Sequence, residues 1–192
     1  MKRILFITAI IPFIAIADAS ANPLDDFNPR GKGRLEYFGD IMQFVIPMSG
    51  LVYSSVISDW SGVGQFGLSY GSTFVATQGL KRVVDSERPV NEGSAPRYDS
   101  FPSGLTSGAF SGAAYWHMRY GWEIGLPMYA LAGLVGYSRV HADKHDEIDV
   151  LAGAAIGVGF ALLFVSRYQP KNTHVYVAPT DGGAMLRLNS VF

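Results

Sequence analysis

Apolar positions are concentrated in five long runs, and these runs are rich in Gly, Ala and Ser. They cover Ile41–Ile57, Val63–Leu80, Ser103–His117, Ile124–Tyr137 and Val150–Ser166. Small residues let helix backbones approach one another closely, in membrane bundles and in tightly packed soluble ones. The pattern predicts an all-α fold, a bundle of about five helices. Five aromatic residues around the third and fourth runs indicate core packing or an interfacial belt: Tyr115, Trp116, Tyr120, Trp122 and Tyr129.

The C-terminal tail, residues 168–192, has a different pattern. Val175 and Val177 alternate with other residues, Asp181-Gly182-Gly183 provides a turn, and alternation resumes over Met185–Asn189. Period-two alternation on both sides of a turn is typical of a hairpin. We expect a small C-terminal β-hairpin packed on the bundle.

The first 21 residues have the pattern of a secretory signal. Lys2-Arg3 precede an apolar run over Ile4–Ala17, and Ala19-Ser20-Ala21 provides a small-residue cleavage site. The run is shorter than the about 20 apolar residues that span a bilayer. The pattern indicates export to the bacterial periplasm or the periplasmic face of the membrane, with an uncleaved anchor as the alternative. A lead-in over residues 22–40 and one helical domain over 41–167 would follow.

Composition limits the classes of partner. The chain carries a formal charge of −1 and no cysteine, so it offers neither a basic nucleic-acid groove nor a thiol site. Mean hydropathy is +0.18 and only Ile41–Ile57 and Val150–Val165 have low polarity throughout. We expect a membrane surface as partner. Both an integral bundle and an exported bundle resting on the membrane fit these values.

Ionisable residues gather in two segments that together resemble a phosphate site. Lys81, Arg88 and Arg139 provide three cations, of which arginine binds phosphate bidentately and lysine acts as a point charge. Lys81 and Arg88 are seven residues apart, so a continuous helix would direct both to the same side. Ser103 adds a hydroxyl beside Gly104, where the backbone can approach an anion at a predicted helix N-terminus.

His145 and Asp149 form a candidate nucleophile and its partner. They are four residues apart, which places both on one face of a helix. A carboxylate that holds the Nδ1 proton leaves the Nε2 lone pair available for attack on phosphorus. A turn is expected over Val140–Lys144, because six residues from Arg139 to His145 do not stay on one helical face. The segment Val83–Ser100 is expected to be a solvated lid or a plain connector.

These segments resemble the three-part signature of the type 2 phosphatidic acid phosphatase superfamily. That family, with vanadium haloperoxidases and bacterial class A acid phosphatases, has K-x6-R-P, then P-S-G-H, then S-R-x5-H-x3-D. This chain has a complete first part, Lys81 to Pro89, and a complete third part, Ser138 to Asp149. The second part is Pro102-Ser103-Gly104-Leu105, with leucine in place of histidine.

The resemblance implies a role for each matching position. His145 would be the nucleophile that forms a phosphohistidine, and Asp149 its partner. Leu105 would stand where the family has its general acid, and leucine cannot donate a proton. The remaining matches would bind phosphate: Lys81, Arg88, Ser103, Gly104 and Arg139. The family works without a metal or other cofactor, and His141 and Glu87 are the alternative acids.

The resemblance implies a phosphatase that acts on a phosphorylated lipid or a small phosphate substrate. Polyprenyl pyrophosphate, phosphatidylglycerol phosphate and lipid A are the candidate substrates. General acid catalysis contributes about 10²- to 10⁴-fold, so Leu105 predicts impaired turnover of alkyl phosphates. The main alternative is a non-catalytic protein that binds phosphate or a lipid headgroup. A vanadate-dependent haloperoxidase ranks last, because the chain is short for that group.

Overall fold

The computed structural model describes residues 33–89, 98–170, 173–180 and 183–190. The expected signal over residues 1–21 lies outside the described residues. As predicted, the described residues fold as a bundle of five helices. They are α1 (Arg34–Val56), α2 (Trp60–Val83), α3 (Gly104–Tyr120), α4 (Trp122–His141) and α5 (Glu147–Phe164).

All five helices extend at one end or both beyond the apolar runs that predicted them, and α1 and α4 have the longest single extensions. α1 begins at Arg34, inside the segment expected as a lead-in, and α4 continues to His141, inside the expected turn. Both extensions carry polar residues that the apolar pattern leaves out. The two extensions contact each other through an ion pair, in which Arg139 Nη1 of α4 donates to Asp40 Oδ1 of α1 at 2.8 Å. A tertiary ion pair therefore supports both extensions.

Helix α3 lies at the centre of the bundle and packs against all four other helices. Its buried residues are mainly Ala, Ser and Gly, with Tyr115 and Trp116 near its end, each 1% exposed. These two aromatics are therefore core residues. The small residues let neighbouring backbones approach closely. A Cβ at Gly157 of α5 would lie 2.4 Å from the carbonyl oxygen of Ser107.

Hydroxyl groups join α2 to α3 along their buried interface. Thr77 Oγ1 donates to Ser107 Oγ at 3.1 Å, and one turn away Thr73 Oγ1, which donates to the Ser69 carbonyl oxygen at 2.9 Å, lies 3.4 Å from Ser111 Oγ. Thr73, Thr77 and Ser111 are each 1% exposed. Such pairs satisfy polar groups inside a helical bundle, where an unpaired hydroxyl is destabilising.

A buried ion pair holds the end of the bundle where α1 ends and α2 begins. Arg119 of α3 donates from Nε and Nη2 to both carboxylate oxygens of Asp59, at 2.7 and 2.5 Å. Tyr120 Oη donates to the same carboxylate at 2.9 Å and lies 2.7 Å from Ser54 Oγ. Asp59 also accepts from the Gly62 amide at 3.0 Å and so caps α2.

Large apolar side chains point outward from several helices. On α5, Leu151, Leu162 and Leu163 are 68%, 59% and 73% exposed, and α1, α2 and α4 carry further examples such as Phe44, Phe74 and Leu126. Among the residues that the structure describes, α5 alone has the length and apolar composition of a bilayer span, with a mean hydropathy of 1.9.

Two strands follow the bundle in the described part of the tail. β1 (Thr173–Thr180) pairs antiparallel with β2 (Gly183–Ser190), and Thr180 lies opposite Gly183. A second, isolated bridge joins Ser86 to Asp99 in parallel. This bridge lies between the residues after α2 and those before α3, so it brings the two ends of the predicted lid together.

Candidate active site

The two cations of the first motif reach the same place from different elements. Lys81 lies in the last turn of α2, whereas Arg88 follows the helix, which ends at Val83. Lys81 and Arg88 therefore do not share a continuous helix. Lys81 Nζ donates to the carbonyl oxygens of Asp99 and Ser100, at 2.5 and 3.3 Å. Arg88 donates from Nε and Nη2 to the Asp99 carboxylate at 2.9 and 3.2 Å.

The second motif forms the start of α3. Ser103 is its N-cap residue, but its Oγ lies 3.0 Å from Thr106 Oγ1 and caps no backbone amide. The Ser103 amide donates to the carbonyl oxygen of Asp149 at 2.9 Å, which joins the second motif to the third. At Gly104 a Cβ would meet nothing nearer than Lys81 Cε at 3.8 Å. A Cβ at Gly104 would therefore make an ordinary van der Waals contact and no clash.

The third motif brackets the turn between α4 and α5. His145 lies in the turn and Asp149 in the first turn of α5, so they do not share a helical face as expected. The turn still brings them together, with His145 Nδ1 3.4 Å from Asp149 Oδ2. The same Oδ2 accepts from the backbone amide of Asp146 at 3.1 Å. The carboxylate is therefore fixed at the start of α5, where the helix dipole favours negative charge.

Arg139 is a predicted phosphate ligand whose guanidinium contacts protein groups. It is 4% exposed, and its guanidinium donates to Asp40 Oδ1, to the Glu36 carbonyl at 2.7 Å and to Ser138 Oγ at 3.0 Å. All three acceptors are protein groups on α1 and α4. A phosphate contact by Arg139 stays a prediction.

A pocket of about 260 Å³ joins the first two motifs to the third. Five of the predicted site residues line it: Lys81, Arg88, Gly104, Leu105 and His145. Its other walls include the aromatic side chains Phe44, Tyr70 and Phe74. Ser103 and Arg139 do not line it. The pocket thus combines two cations and an imidazole with an apolar wall.

A larger cleft of about 650 Å³ is also lined by His145. Asp149 lines this cleft, together with the acidic residues Asp143, Asp146 and Glu147 and the apolar Phe101 and Ile148. His145 therefore lines both the cationic pocket and the acidic cleft. Neither His141 nor Glu87, the two alternative acids, lines either space.

The surroundings of His145 keep its imidazole neutral. The side chain is buried, which disfavours the imidazolium, and the positive charges of Arg88 and Lys81 disfavour it further. Asp149 opposes these effects, and the net result lowers the pKa of His145 to about 4. At neutral pH the ring therefore has a lone pair on one nitrogen.

Two residues outside the three motifs take part in this arrangement. Asp99 accepts from Lys81 and Arg88, and Ser100 Oγ donates to Asp149 Oδ2 at 2.5 Å. The sequence carried no signal for either residue, because both lie in a segment without periodicity. Among the described residues, no three His, Asp or Glu side chains are grouped as a metal site requires.

Comparison with known proteins adds evidence from sequence and from fold. The profile of the PAP2 superfamily matches residues 62–173. Lipid A 4'-phosphatase of Helicobacter pylori strain J99 is 37% identical over 149 residues, covering 74% of this chain and 75% of that protein. Lipid A 1-phosphatase of Porphyromonas gingivalis is 40% identical over 65 residues, 31% of this chain and 14% of that protein.

The fold has a counterpart among solved structures. The crystal structure of Aquifex aeolicus LpxE superposes with a TM-score of 0.59 at 22% identity, covering 80% of this chain and 92% of that one. At this identity the likeness concerns the fold of the helical bundle. With the profile match and the Helicobacter relative, it leads to one conclusion: this chain belongs to the PAP2 superfamily.

Proposed function

We propose that the chain is a lipid phosphatase whose substrate is a phosphomonoester of lipid A or a related envelope lipid. One observation carries the proposal: Lys81, Arg88 and His145 line a single pocket that also has an apolar wall. Two cations neutralise a phosphate dianion, and the imidazole supplies a nucleophile. The names of the Helicobacter and Porphyromonas relatives support lipid A as the substrate class.

In the first step, His145 Nε2 attacks phosphorus. The N–P bond forms while the bond from phosphorus to the lipid oxygen breaks, which gives a phosphohistidine and a lipid alkoxide. Lys81 and Arg88 stabilise the charge that develops on the phosphoryl oxygens. Asp149, close to Nδ1, stabilises the positive charge that the ring acquires. Water then attacks the phosphohistidine: the O–P bond forms while the N–P bond breaks, which releases inorganic phosphate and restores the imidazole. The proton that this water loses balances the proton that the lipid alkoxide takes from solvent.

Leu105 limits the departure of the lipid oxygen. Its side chain lines the pocket and also packs on the hydrophobic core. An alkoxide leaves poorly without a proton, and leucine has none to give. Because general acids contribute about 10²- to 10⁴-fold, the chain should be slow on lipid phosphomonoesters. Aryl phosphates and pyrophosphates have better leaving groups and should suffer less.

The test compares phosphate release from lipid A in mixed detergent micelles for the unmodified chain, Leu105→His, Leu105→Gln and His145→Ala. Leu105→Gln is the matched control, because glutamine is polar and similar in size but donates no proton as an acid. We expect Leu105→His to exceed the unmodified chain by about 10²-fold. Leu105→Gln should stay at the unmodified rate, and His145→Ala should release nothing above background.

A second candidate is a non-catalytic protein that binds phosphate or a lipid headgroup. The leucine at the position of the family's general acid favours this candidate, since the cations would still bind an anion. Saturable binding of lipid A with no phosphate release by any variant, Leu105→His included, would support it. The same result would exclude the enzyme.

The location of the site is part of the proposal. Its helices carry exposed apolar side chains on α1, α2, α4 and α5, which is expected where lipid surrounds a bundle. We propose that the site faces the periplasmic side of the membrane and that residues 1–21 direct export. The intact mass of the purified protein tests removal of the signal. The chain has no cysteine, so Asp143→Cys places a single thiol at an exposed position in the cleft beside His145. Protection of that thiol in intact cells from a small reagent that does not cross the inner membrane would contradict the periplasmic orientation.

A further inference from the structure

Ser100 connects the three motifs although it belongs to none of them. Its backbone amide donates to the carbonyl oxygen of Ser86 at 3.0 Å, next to the first motif. Its own carbonyl oxygen accepts from Lys81 Nζ at 3.3 Å. The residue is completely buried, and it precedes Ser103 of the second motif by three positions. Its backbone is therefore held by contacts that do not involve its side chain.

The side chain of Ser100 reaches the third motif. Its Oγ donates to Asp149 Oδ2 at 2.5 Å and lies 3.3 Å from His145 Nδ1. The imidazole nitrogen thus faces two oxygen atoms at nearly equal distances, since Asp149 Oδ2 is 3.4 Å away. The three side chains form one buried cluster, each no more than 4% exposed.

This geometry determines which ring nitrogen carries the proton. A serine hydroxyl has one proton, and here that proton points to Asp149. Only lone pairs of Ser100 Oγ remain to face His145 Nδ1, and Asp149 also presents lone pairs. The lone pair of an unprotonated Nδ1 would face lone pairs of both oxygens, which is repulsive. A protonated Nδ1 can instead donate to these oxygens. The cluster therefore stabilises the tautomer whose lone pair is on Nε2.

We propose that Ser100 is a positioning residue for the nucleophile: its hydroxyl holds the Asp149 carboxylate and accepts the Nδ1 proton of His145. The inference rests on the proposed function and deepens it, because the Nε2 lone pair is the one that would attack phosphorus. Ser100 does not contact the substrate in this role. It fixes the tautomer and the orientation of the ring.

The hydroxyl of Ser100 can be removed without leaving the neighbouring polar groups unpaired. In Ser100→Ala the backbone contacts with Ser86 and Lys81 can remain, and Asp149 Oδ2 still accepts from the Asp146 amide at 3.1 Å. A matched control is Ser111→Ala, which removes another buried hydroxyl, 1% exposed, that lines neither space beside His145. Ser100→Cys is a second test variant, because a thiol has a similar shape but donates weakly.

The first measurement is ¹⁵N NMR of histidine-labelled full-length protein in detergent micelles at neutral pH, with His145 assigned by its loss in His145→Ala. We expect a single tautomer with a protonated Nδ1 in the unmodified chain and in Ser111→Ala. Ser100→Ala and Ser100→Cys should show both tautomers. The same tautomer populations in Ser100→Ala, Ser100→Cys and Ser111→Ala would overturn the proposal.

The second measurement is the rate of phosphate release, in the unmodified and Leu105→His backgrounds. Loss of one hydrogen bond should lower kcat about fivefold to tenfold in Ser100→Ala while KM changes less than about twofold. A tautomer change with no turnover in any background would uphold the positioning role and reject the phosphatase. If Leu105→His releases phosphate at the same rate with and without Ser100→Ala, the positioning role is rejected and the proposed phosphatase activity stands.

Discussion

Gly153 of α5 lies directly against the carbonyl oxygen of Ser103, so closely that a Cβ on the glycine would be 2.5 Å from that oxygen. The contact joins the helix that carries Asp149 to the residue that starts α3. It lies beside the hydrogen bond from the Ser103 amide to the Asp149 carbonyl, 2.9 Å long. The second and third motifs are therefore held together by backbone contacts that require a residue without a side chain.

Substitution of Gly153 by alanine adds only one methyl group, but we expect it to disturb the site. Gly153→Ala must separate α5 from the Ser103 backbone, because the carbonyl cannot move as a flexible side chain could. We expect a loss of about 1–3 kcal/mol of stability from overpacking and at least a tenfold loss of phosphate release. Thermal unfolding and activity in the Leu105→His background measure both effects.

The control for this substitution lies on the same helix. A Cβ at Gly159 meets no atom within 4 Å, so Gly159→Ala should keep activity and gain up to about 1 kcal/mol from helix propensity. Equal behaviour of the two alanine variants would contradict the close approach at Gly153.

Titration of His145 should occur well below the ordinary range for histidine. Burial and the charges of Arg88 and Lys81 lower its pKa to about 4, against 6.5 for an unperturbed ring. Between these pH values the unfolded chain binds a proton that the folded chain does not. Stability should therefore fall as the pH drops through this window. A ¹⁵N NMR titration of His145, together with unfolding at several pH values, measures both.

The part of the His145 pKa shift that the charge of Arg88 causes can be measured separately. Arg88→Gln removes one of the two neighbouring cations, so the pKa of His145 should rise toward 6.5 in that variant. Arg82→Gln, an exposed position on α2, is the charge-matched control and should leave the titration unchanged. A His145 that titrates near 6.5 in the unmodified chain would be inconsistent with its burial.

Lysine should not replace Arg139. The guanidinium donates to Asp40, Glu36 and Ser138 at once, from three different nitrogens, and one ammonium cannot reach all three acceptors. We expect Arg139→Lys to lower the free energy of unfolding by about 2 kcal/mol through lost charged hydrogen bonds. Arg82→Lys serves as the exposed control in the same thermal unfolding series, and an equal Tm for both would refute the anchoring role.

The Asp59–Arg119 pair should be costly to break from one side only. Arg119→Met leaves a carboxylate buried at 5% exposure without its cation, which costs about 3–5 kcal/mol. Asp59→Asn combined with Arg119→Met removes the uncompensated charge. The double variant should therefore unfold at a higher temperature than Arg119→Met alone. Additive destabilisation in this double-mutant cycle would show that the two groups do not interact.

The five helices, the family and the candidate site residues could be predicted from the sequence, because all three follow from local properties of the chain. Apolar runs follow from short-range helical packing, and motif spacing from the order of residues along the chain. The sequence also identified Leu105 as the departure from the family pattern. Its position on the wall of the pocket was not deducible, since it depends on how α1, α2 and α3 surround that space.

The ends of the helices and the contacts between their side chains depend on tertiary packing and could not be predicted in this way. α2 ends at Val83, so Arg88 reaches the pocket from a loop and Lys81 from a helix. Arg139, adjacent to the motif serine in sequence, pairs with Asp40 of α1 instead of lining the pocket. Ser100 has no periodicity that marks it, and its hydroxyl meets His145 and Asp149 because a backbone bridge holds it there. Such contacts join residues far apart in the chain, and local preferences do not encode them.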